Sequence, residues 1–404
     1  MMLPELVLAV LLHAQDSAAW SRFRGPNGTG VASATTSLPA EFGPSKNVVW
    51  KVPVGTGHSS PVLWNDRLYL TALEGDTLVT LCFQQADGKL LWKREAPRPR
   101  REPFDKRNNA ASPSPAAARE GIYIFFPEFG LLSYTHDGKE RWRLPLGPFD
   151  NLYGMGASPV VAGDLVVLVI DQSRSSYILA ASTRDGRLKW KTARPEAVSG
   201  HSTPVLYQPK SGPLQIIAPG SFRMDAYQAT TGESVWHANG LASEMKSVPV
   251  VDGDVIYING YNLPENDAGR QVPVPEFASQ DTNGDGFLVT DEVSFARAKS
   301  YFVYLDLDRN QQLDREEWRL FAASMAAENG LLAIRPGGQM LWKFGRSIPQ
   351  LPSTLVYQGV LYMINDGGIL TTLDPASGKL HAQERLRTVT DRIFASPVAA
   401  SGYV

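Results

Sequence analysis

Along most of this chain, short apolar runs alternate with tight polar turns, and a tryptophan closes each cycle. Ala86-Asp-Gly-Lys-Leu-Leu-Trp92, His136-Asp-Gly-Lys-Glu-Arg-Trp142, Arg184-Asp-Gly-Arg-Leu-Lys-Trp190, Thr230-Thr-Gly-Glu-Ser-Val-Trp236 and Pro336-Gly-Gly-Gln-Met-Leu-Trp342 are five copies of one unit. Ala376-Ser-Gly-Lys-Leu-His381 reads as a sixth, with histidine in the tryptophan slot. Each unit opens on a strand led by a proline and carries a second strand signal eight residues on, as in Pro61 with Tyr69, Pro115 with Tyr123, Pro159 with Val167 and Pro249 with Tyr257. Thr354 with Tyr362 follows the same spacing, and Pro204 opens the fourth unit. Turn pairs such as Gly163-Asp164 and Gly253-Asp254 lie between, so each unit predicts strand, tight turn, strand, loop, strand, turn and closing strand. Four short strands in about 40 to 50 residues is the arithmetic of a β-propeller blade. Stacked helical repeats would need long stretches of 3.6-residue period, which the units lack.

Between Trp236 and Trp342 the spacing jumps to 106 residues, and the pattern there changes. Asp281-Thr-Asn-Gly-Asp-Gly-Phe-Leu-Val-Thr-Asp-Glu292 places oxygen donors at positions 1, 3, 5 and 12 of a twelve-residue loop with glycine at position 6, the spacing of an EF-hand calcium loop. Calcium takes six to eight oxygens, so Asp281, Asn283 and Asp285 would supply side-chain oxygens, Phe287 a backbone carbonyl and Glu292 two oxygens, with the Val289 slot left to water. Asp306-Leu-Asp-Arg-Asn-Gln-Gln-Leu-Asp-Arg-Glu-Glu317 repeats the pattern through Asp306, Asp308, Asn310, the Gln312 carbonyl, Asp314 and Glu317. Gln311 stands where glycine belongs, and positive φ there costs roughly 1 kcal/mol or more, which predicts a weaker or more strained second site. Leu288 and Leu313, both at position 8, are apolar as a short pairing strand between loops requires. A shared helix is expected over 290–305 and an exit helix over 316–327, whereas Pro273 and Pro275 keep the entering helix short. The competing reading is a pair of solvated acidic turns.

The repeats resemble the pyrroloquinoline-quinone (PQQ) repeat, the tryptophan-docked blade of quinoprotein alcohol dehydrogenases and of BamB-like outer-membrane assembly propellers. The resemblance covers about residues 48–262 and 329–404. The opening Trp20-Ser-Arg-Phe-Arg-Gly-Pro-Asn-Gly-Thr-Gly30 is similar to the start of secreted bacterial PQQ-like proteins, some of which carry EF-hands. The resemblance implies an all-β propeller of seven or eight blades. Six units are complete and Ala395–Val404 begins another, so the chain reads as truncated or as leaving an edge for a partner; Asn47-Val-Val-Trp50 reads as a closing strand that completes the last blade. The expected organisation is a leader over 1–19, propeller over 20–262, an EF-hand pair over 263–328 and propeller again over 329–404.

Composition suits a large all-β protein: 43% hydrophobic residues can fill a core, and 35 glycines with 29 prolines supply turns. A net charge of −2 gives no basic excess for nucleic acid. The cluster Arg98-Pro-Arg-Arg-Glu102 with Lys106-Arg107 is expected to be a solvated loop. Leu6-Val-Leu-Ala-Val-Leu-Leu-His-Ala14 is too short to span a bilayer and resembles a signal-peptide core, although no Lys or Arg precedes it; small residues at Ala14, Ala18 and Ala19 suit cleavage. Export would bring the loops to a calcium-rich compartment.

The resemblance also implies what an enzyme of this kind would need. Quinoprotein dehydrogenases hold PQQ in an axial funnel against a disulfide between adjacent cysteines, with calcium on Glu and Asn and an Asp base. Cys82, the only cysteine, sits in an apolar strand and reads as a core residue. No serine-hydrolase elbow, zinc spacing or phosphate loop is present, and no catalytic residue is assigned. Three positions before each opening residue, the units carry His58, Ser112, Gly156, His201, Lys246, Leu351 and Phe394, a column expected near one mouth of the channel. His58, His201 and Lys246 could bind an anionic or quinone-like ligand there, or simply line a wet channel; Asn109 and Arg392 lie in the same loops. The favoured reading is an exported calcium-binding propeller serving as a binding or scaffold module. A PQQ-dependent dehydrogenase and an envelope assembly factor with a protein partner are the alternatives.

Overall fold

A computed structural model describes residues 20–32, 38–387, 389 and 391–404, so the expected leader lies outside the described residues. Six four-stranded antiparallel meanders span 62–96, 116–145, 160–193, 205–239, 250–344 and 355–385, numbered here as blades 1 to 6. First strands of neighbouring blades contact one another, so they line the axis of a β-propeller. Middle strands such as Gly121–Phe126 and Tyr177–Ser182 are buried along their whole length, packed against the next blade on each face. The fourth strands alternate or lie exposed at the rim, which is why they read as polar and basic.

Every blade carries a register shift between its third and fourth strands, opposite the tryptophan position. The bulge turns the indole toward the next blade, where a turn glycine receives it. Trp92 covers Gly138, Trp142 covers Gly186, Trp190 covers Gly232 and Trp342 covers Gly378; a Cβ on each glycine would lie 2.4 to 2.7 Å from the ring. Each indole N–H also donates to a carbonyl of that same turn, at 2.9 Å for Trp92 to His136 and Trp142 to Thr183, and 3.0 Å for Trp190 to Ala229 and Trp342 to Pro375. Trp236 departs from this rule. Gly338 in the next turn packs against the His237 carbonyl instead, and the Trp236 indole donates to Gln215 of its own blade at 2.9 Å.

Two sequence expectations change here. The bulge pairs Thr372 with Ala382, so Ala382 and not His381 occupies the indole position of blade 6. Residues 48–50 form no strand, yet Trp50 still docks as a closing-strand indole would, over Gly88 and onto the Gln85 carbonyl at 2.8 Å. Contact between the chain's two ends is made elsewhere, where Val31 bridges Ala399 in parallel.

Residues 20–31 enter the propeller axis and touch blade after blade. Trp20 and Ser21 carbonyls accept from Leu63 of blade 1 and Ala117 of blade 2 at 2.8 and 2.7 Å. Asn27 exchanges two bonds with Leu206 of blade 4, at 2.7 and 2.8 Å, and Gly28 sits against Val205 and Val248 with no room for a Cβ. Arg22 reaches the Pro204 carbonyl, and Arg24 reaches that of Thr354 in blade 6 at 2.8 Å. Both guanidinium groups are about 95% buried with no ion pair among the described residues, and burial lowers them to about 9 and about 10.

Blade 5 is interrupted between its second and third strands, which meet at the Gly260–Gly330 pair. The inserted chain holds three helices, α1 (Phe277–Gln280), α2 (Ala296–Leu305) and α3 (Arg315–Ala326), around a small core of Phe277, Leu288, Phe302, Leu313, Trp318 and Phe321. Helix α2 starts six residues later than its sequence predicts, because the Ser294 N–H bonds to the Gln280 side chain at 2.8 Å and Phe295 stays extended. The arginine-rich segment is only partly the solvated loop expected: Arg101, Lys106 and Arg107 are exposed, but Arg98 and Arg100 are not. Arg98 is 13% exposed and pairs with buried Glu128, and Arg100 donates to the Pro127 carbonyl, so these two arginines bind the loop to blade 2.

Candidate functional site

The two acidic loops fold alike. In the first, Asp281 accepts from the Gly284 and Gly286 N–H groups at 2.8 and 3.1 Å, Asn283 from Asp285 at 2.8 Å and Asp285 from Phe287 at 2.9 Å. In the second, Asp306 accepts from Asn310 and Gln311 at 3.0 and 2.8 Å, Asp308 from Asn310 at 3.2 Å, and Asn310 from Gln312 at 2.8 Å. The final glutamates fold back over each loop: Glu292 accepts from Val289 at 3.1 Å, and Glu317 accepts from Leu307 and Asp314 at 2.8 and 2.9 Å. Asp314 caps α3 through a reciprocal box with Glu317. Leu288 and Leu313 exchange backbone bonds at 2.9 and 2.8 Å, so the loops are paired back to back.

Geometry separates the two loops. Gly286 and Gln311 both adopt positive φ, 85° and 68°, so the second loop carries the strain that its glutamine foretells. Yet among the described residues only Asp306, Asp308 and Glu317 gather carboxylate oxygens within 4.8 Å of one another. Burial raises the Glu317 carboxyl against the pull of two backbone N–H groups, whereas backbone bonding, led by Val289, holds half-buried Glu292 low. All-oxygen donors of this kind suit a hard divalent cation, with Asp306, Asp308, Asn310, the Gln312 carbonyl and Glu317 around one loop and Asp281, Asn283, Asp285, the Phe287 carbonyl and Glu292 around the other.

The column at the channel mouth resolves into unequal parts. His201 Nε2 and Lys246 Nζ both meet Glu244, at 3.6 and 2.7 Å, and Ser199 donates to the same carboxylate at 2.8 Å. Burial alone would raise Glu244, but Lys246 and His201 outweigh it and hold the carboxyl well below the usual range. Tyr153 sets its ring edge-on to His201 at 6.0 Å. Gly156 lies under the same imidazole, where a Cβ would stand 3.3 Å away. His58 is exposed and, among the described residues, bonds through its backbone, donating to Ala111 at 3.3 Å, so it stays outside this cluster. Asn109 turns back on its own loop to cap Ala111, and Arg392 pairs with Asp366 at 3.4 Å. Glu244 was not singled out by the sequence; its only signal is an acid two residues before Lys246 in Ser-Glu-Met-Lys.

Below the mouth runs a belt that sequence reading also passed over. The residue before each opening position donates its N–H to the hydroxyl of its counterpart one blade on: Ser60 to Ser114, Ser114 to Ser158 and Ser158 to Thr203, at 2.9, 3.0 and 3.0 Å. Val248 has no hydroxyl and breaks the belt, but it donates to Ser353, and Ser353 to Ser396, both at 2.9 Å. Deeper between blades 3 and 4, Arg194 forms a two-bond pair with Asp171 at 2.7 and 3.1 Å and meets the Tyr227 hydroxyl at 2.9 Å. Burial raises Asp171 against the pull of Arg194, and all three groups are walled off from solvent.

The helical insertion lies over this end of the propeller. A cavity of about 200 Å³ separates them, with Leu152, Tyr153, Phe222 and Glu244 on the propeller side and Tyr304, Asp306, Glu317 and Phe321 on the insertion side. Arg174 of blade 3 reaches Asp308 at 2.8 Å and Glu317 at 3.8 Å, and Arg309 of the second loop pairs with Asp150.

Six successive four-stranded sheets, four of which seat an indole on a turn glycine of the next blade, define a propeller of PQQ-repeat type. A family model described as outer membrane protein assembly factor BamB matches residues 31–153 and 82–308, and the chain belongs to that family. Among solved structures, a europium-containing methanol dehydrogenase aligns over 95% of this chain and 87% of its own at 8% identity and a TM-score of 0.50, a likeness of fold. BamB from Moraxella catarrhalis aligns over 78% and 75% at 12% identity and a TM-score of 0.44. The quinohemoprotein alcohol dehydrogenase from Comamonas testosteroni aligns over 94% and 74% at 11% identity and 0.46. No curated protein sequence matches this one. No described helix is long and apolar enough to cross a membrane.

Proposed function

We propose that this chain is an exported calcium-binding PQQ-like propeller that acts as a binding or scaffold module, with residues 263–328 forming an EF-hand pair mounted over one face. The carrying observation is the matched register of the two acidic loops, in each of which Asp, Asn and Glu oxygens accept from backbone N–H groups of the loop while Leu288 and Leu313 join them. Calcium stabilises such a pair by mass action, through RT ln(1 + [L]/Kd), because the ion binds the folded loops and not the unfolded chain. Titration by calorimetry should give two calcium events, one abolished by Asp281→Ala and the other by Asp306→Ala. Absence of heat at millimolar calcium rejects the reading.

The residues present do not match the PQQ support that the dehydrogenase resemblance implies. Cys82 is buried inside blade 1, and residues 20–31 occupy the axis at the level of the first strands. No catalytic step is therefore derived through a quinone. Membership of the BamB family favours an envelope protein as the partner. Capture of a defined envelope protein by the purified chain, lost when the insertion face is blocked by a cross-linked antibody fragment, supports the scaffold role; quinone absorbance with alcohol oxidation on adding PQQ overturns it.

A further inference from the structure

We propose that Arg174 is a built-in competitor for the second acidic loop, so that a divalent cation bound there loosens the insertion from blade 3. The inference rests on the calcium reading of that loop. Two oppositely charged pairs clamp the loop to the propeller: Arg174 with Asp308, and Asp150 with Arg309, a charge-swapped match between adjacent residues of one loop and one platform. The platform is stiff. Gln172 donates its N–H to Ser176 Oγ at 2.9 Å and Ser173 donates to the Asp150 carbonyl at 2.7 Å, while Asp150 N–H donates to the Gln172 side chain at 3.1 Å. Arg174 and Asp150 are thus held as one unit.

Arg174 lies within 3.8 Å of two of the three carboxylates that gather in this loop, Asp308 and Glu317. A metal using those oxygens places a second positive charge beside the guanidinium, and like charges at such separation repel strongly in a partly buried setting. Coupling of this kind is reciprocal: the arginine weakens metal binding by the factor by which the metal weakens docking. With Arg174 displaced, Arg309–Asp150 is the remaining ion pair between this loop and the propeller among the described residues, and Asp306 and Glu317 form the wall of the cavity that Glu244 lines from the other side. The first loop has no such partner on the propeller among the described residues, so its binding is independent of this device.

Calcium calorimetry on the full chain tests the inference with Arg174→Gln and Arg174→Lys. The expected result is a second-loop event tightened on the order of tenfold by Arg174→Gln, unchanged first-loop binding, and near wild-type behaviour for Arg174→Lys. Hydrogen exchange over 171–176 should rise when calcium is added to the wild type. A second-loop event that appears only in Arg174→Gln also supports the proposal. If both events are present and Arg174→Gln leaves the second unchanged or weakens it, the competitor role is wrong while the calcium reading stands; if neither chain binds calcium at all, both fail.

Discussion

Glu244 shows how a single carboxylate can be held ionised by its neighbours. Its low folded value means that its stabilising effect is fully present above its unfolded value, about pH 4.3, and is lost as the pH falls toward the folded one. Glu244→Gln should therefore flatten the acid limb of stability, read as urea midpoints between pH 7 and pH 3. A variant curve parallel to the wild type over that range would show that Lys246 and His201 do not depend on this charge. Cys82 presents the opposite case, a group kept inert: the side chain is fully buried beside Tyr69, and burial pushes the thiol up to about 12. Thiolate is the reactive form, so the native protein should resist thiol reagents at pH 8 and react only after denaturation. Rapid native labelling would contradict that packing.

At the scale of the element, blades 1, 2, 3 and 5 each seat an indole on a turn glycine of the next blade. Gly186 has φ of 71° and sits under Trp142, with 2.6 Å between the ring and any added Cβ. Gly186→Ala thus meets backbone strain and displaces an aromatic core residue, and about 2 to 4 kcal/mol of destabilisation is expected by denaturant unfolding. Gly163→Ala is the control, since it shares positive φ but meets nothing within 4 Å; its loss should stay near 1 kcal/mol. Equal losses at the two sites would deny the indole its role. This docking was legible in the Asp-Gly and Thr-Gly turns four residues before tryptophan, because turn and ring belong to one repeating unit. The two errors of reading share a cause. The local pattern puts His381 rather than Ala382 in the indole slot and groups Trp236 with the other indoles, because which ring meets which glycine is fixed by bulge register and by the next blade's turn, here Pro336-Gly-Gly.

For the molecule as a whole, the segment 20–31 is the piece that ties distant blades together. Asn27 supplies both a donor and an acceptor to Leu206, some 180 residues away in the chain, and holds φ of 46° while doing so. Asn27→Ala leaves two backbone groups of blade 4 without partners, so a loss of about 2 kcal/mol is expected, with unfolding still a single transition. Separate unfolding of blades in the variant would go further and make this segment the source of cooperativity. The sequence by itself determined the propeller, its turns, its indoles and the twelve-residue spacing of the two acidic loops, since each of these is written within one local unit of chain. Only the tertiary structure decided that Arg22 and Arg24 enter the axis, that His201 and Lys246 share Glu244 while His58 stands apart, and that Arg174 faces the second loop. Those contacts join residues from different blades, and which residues face one another there follows from how successive blades are arranged about the axis, which no local pattern encodes.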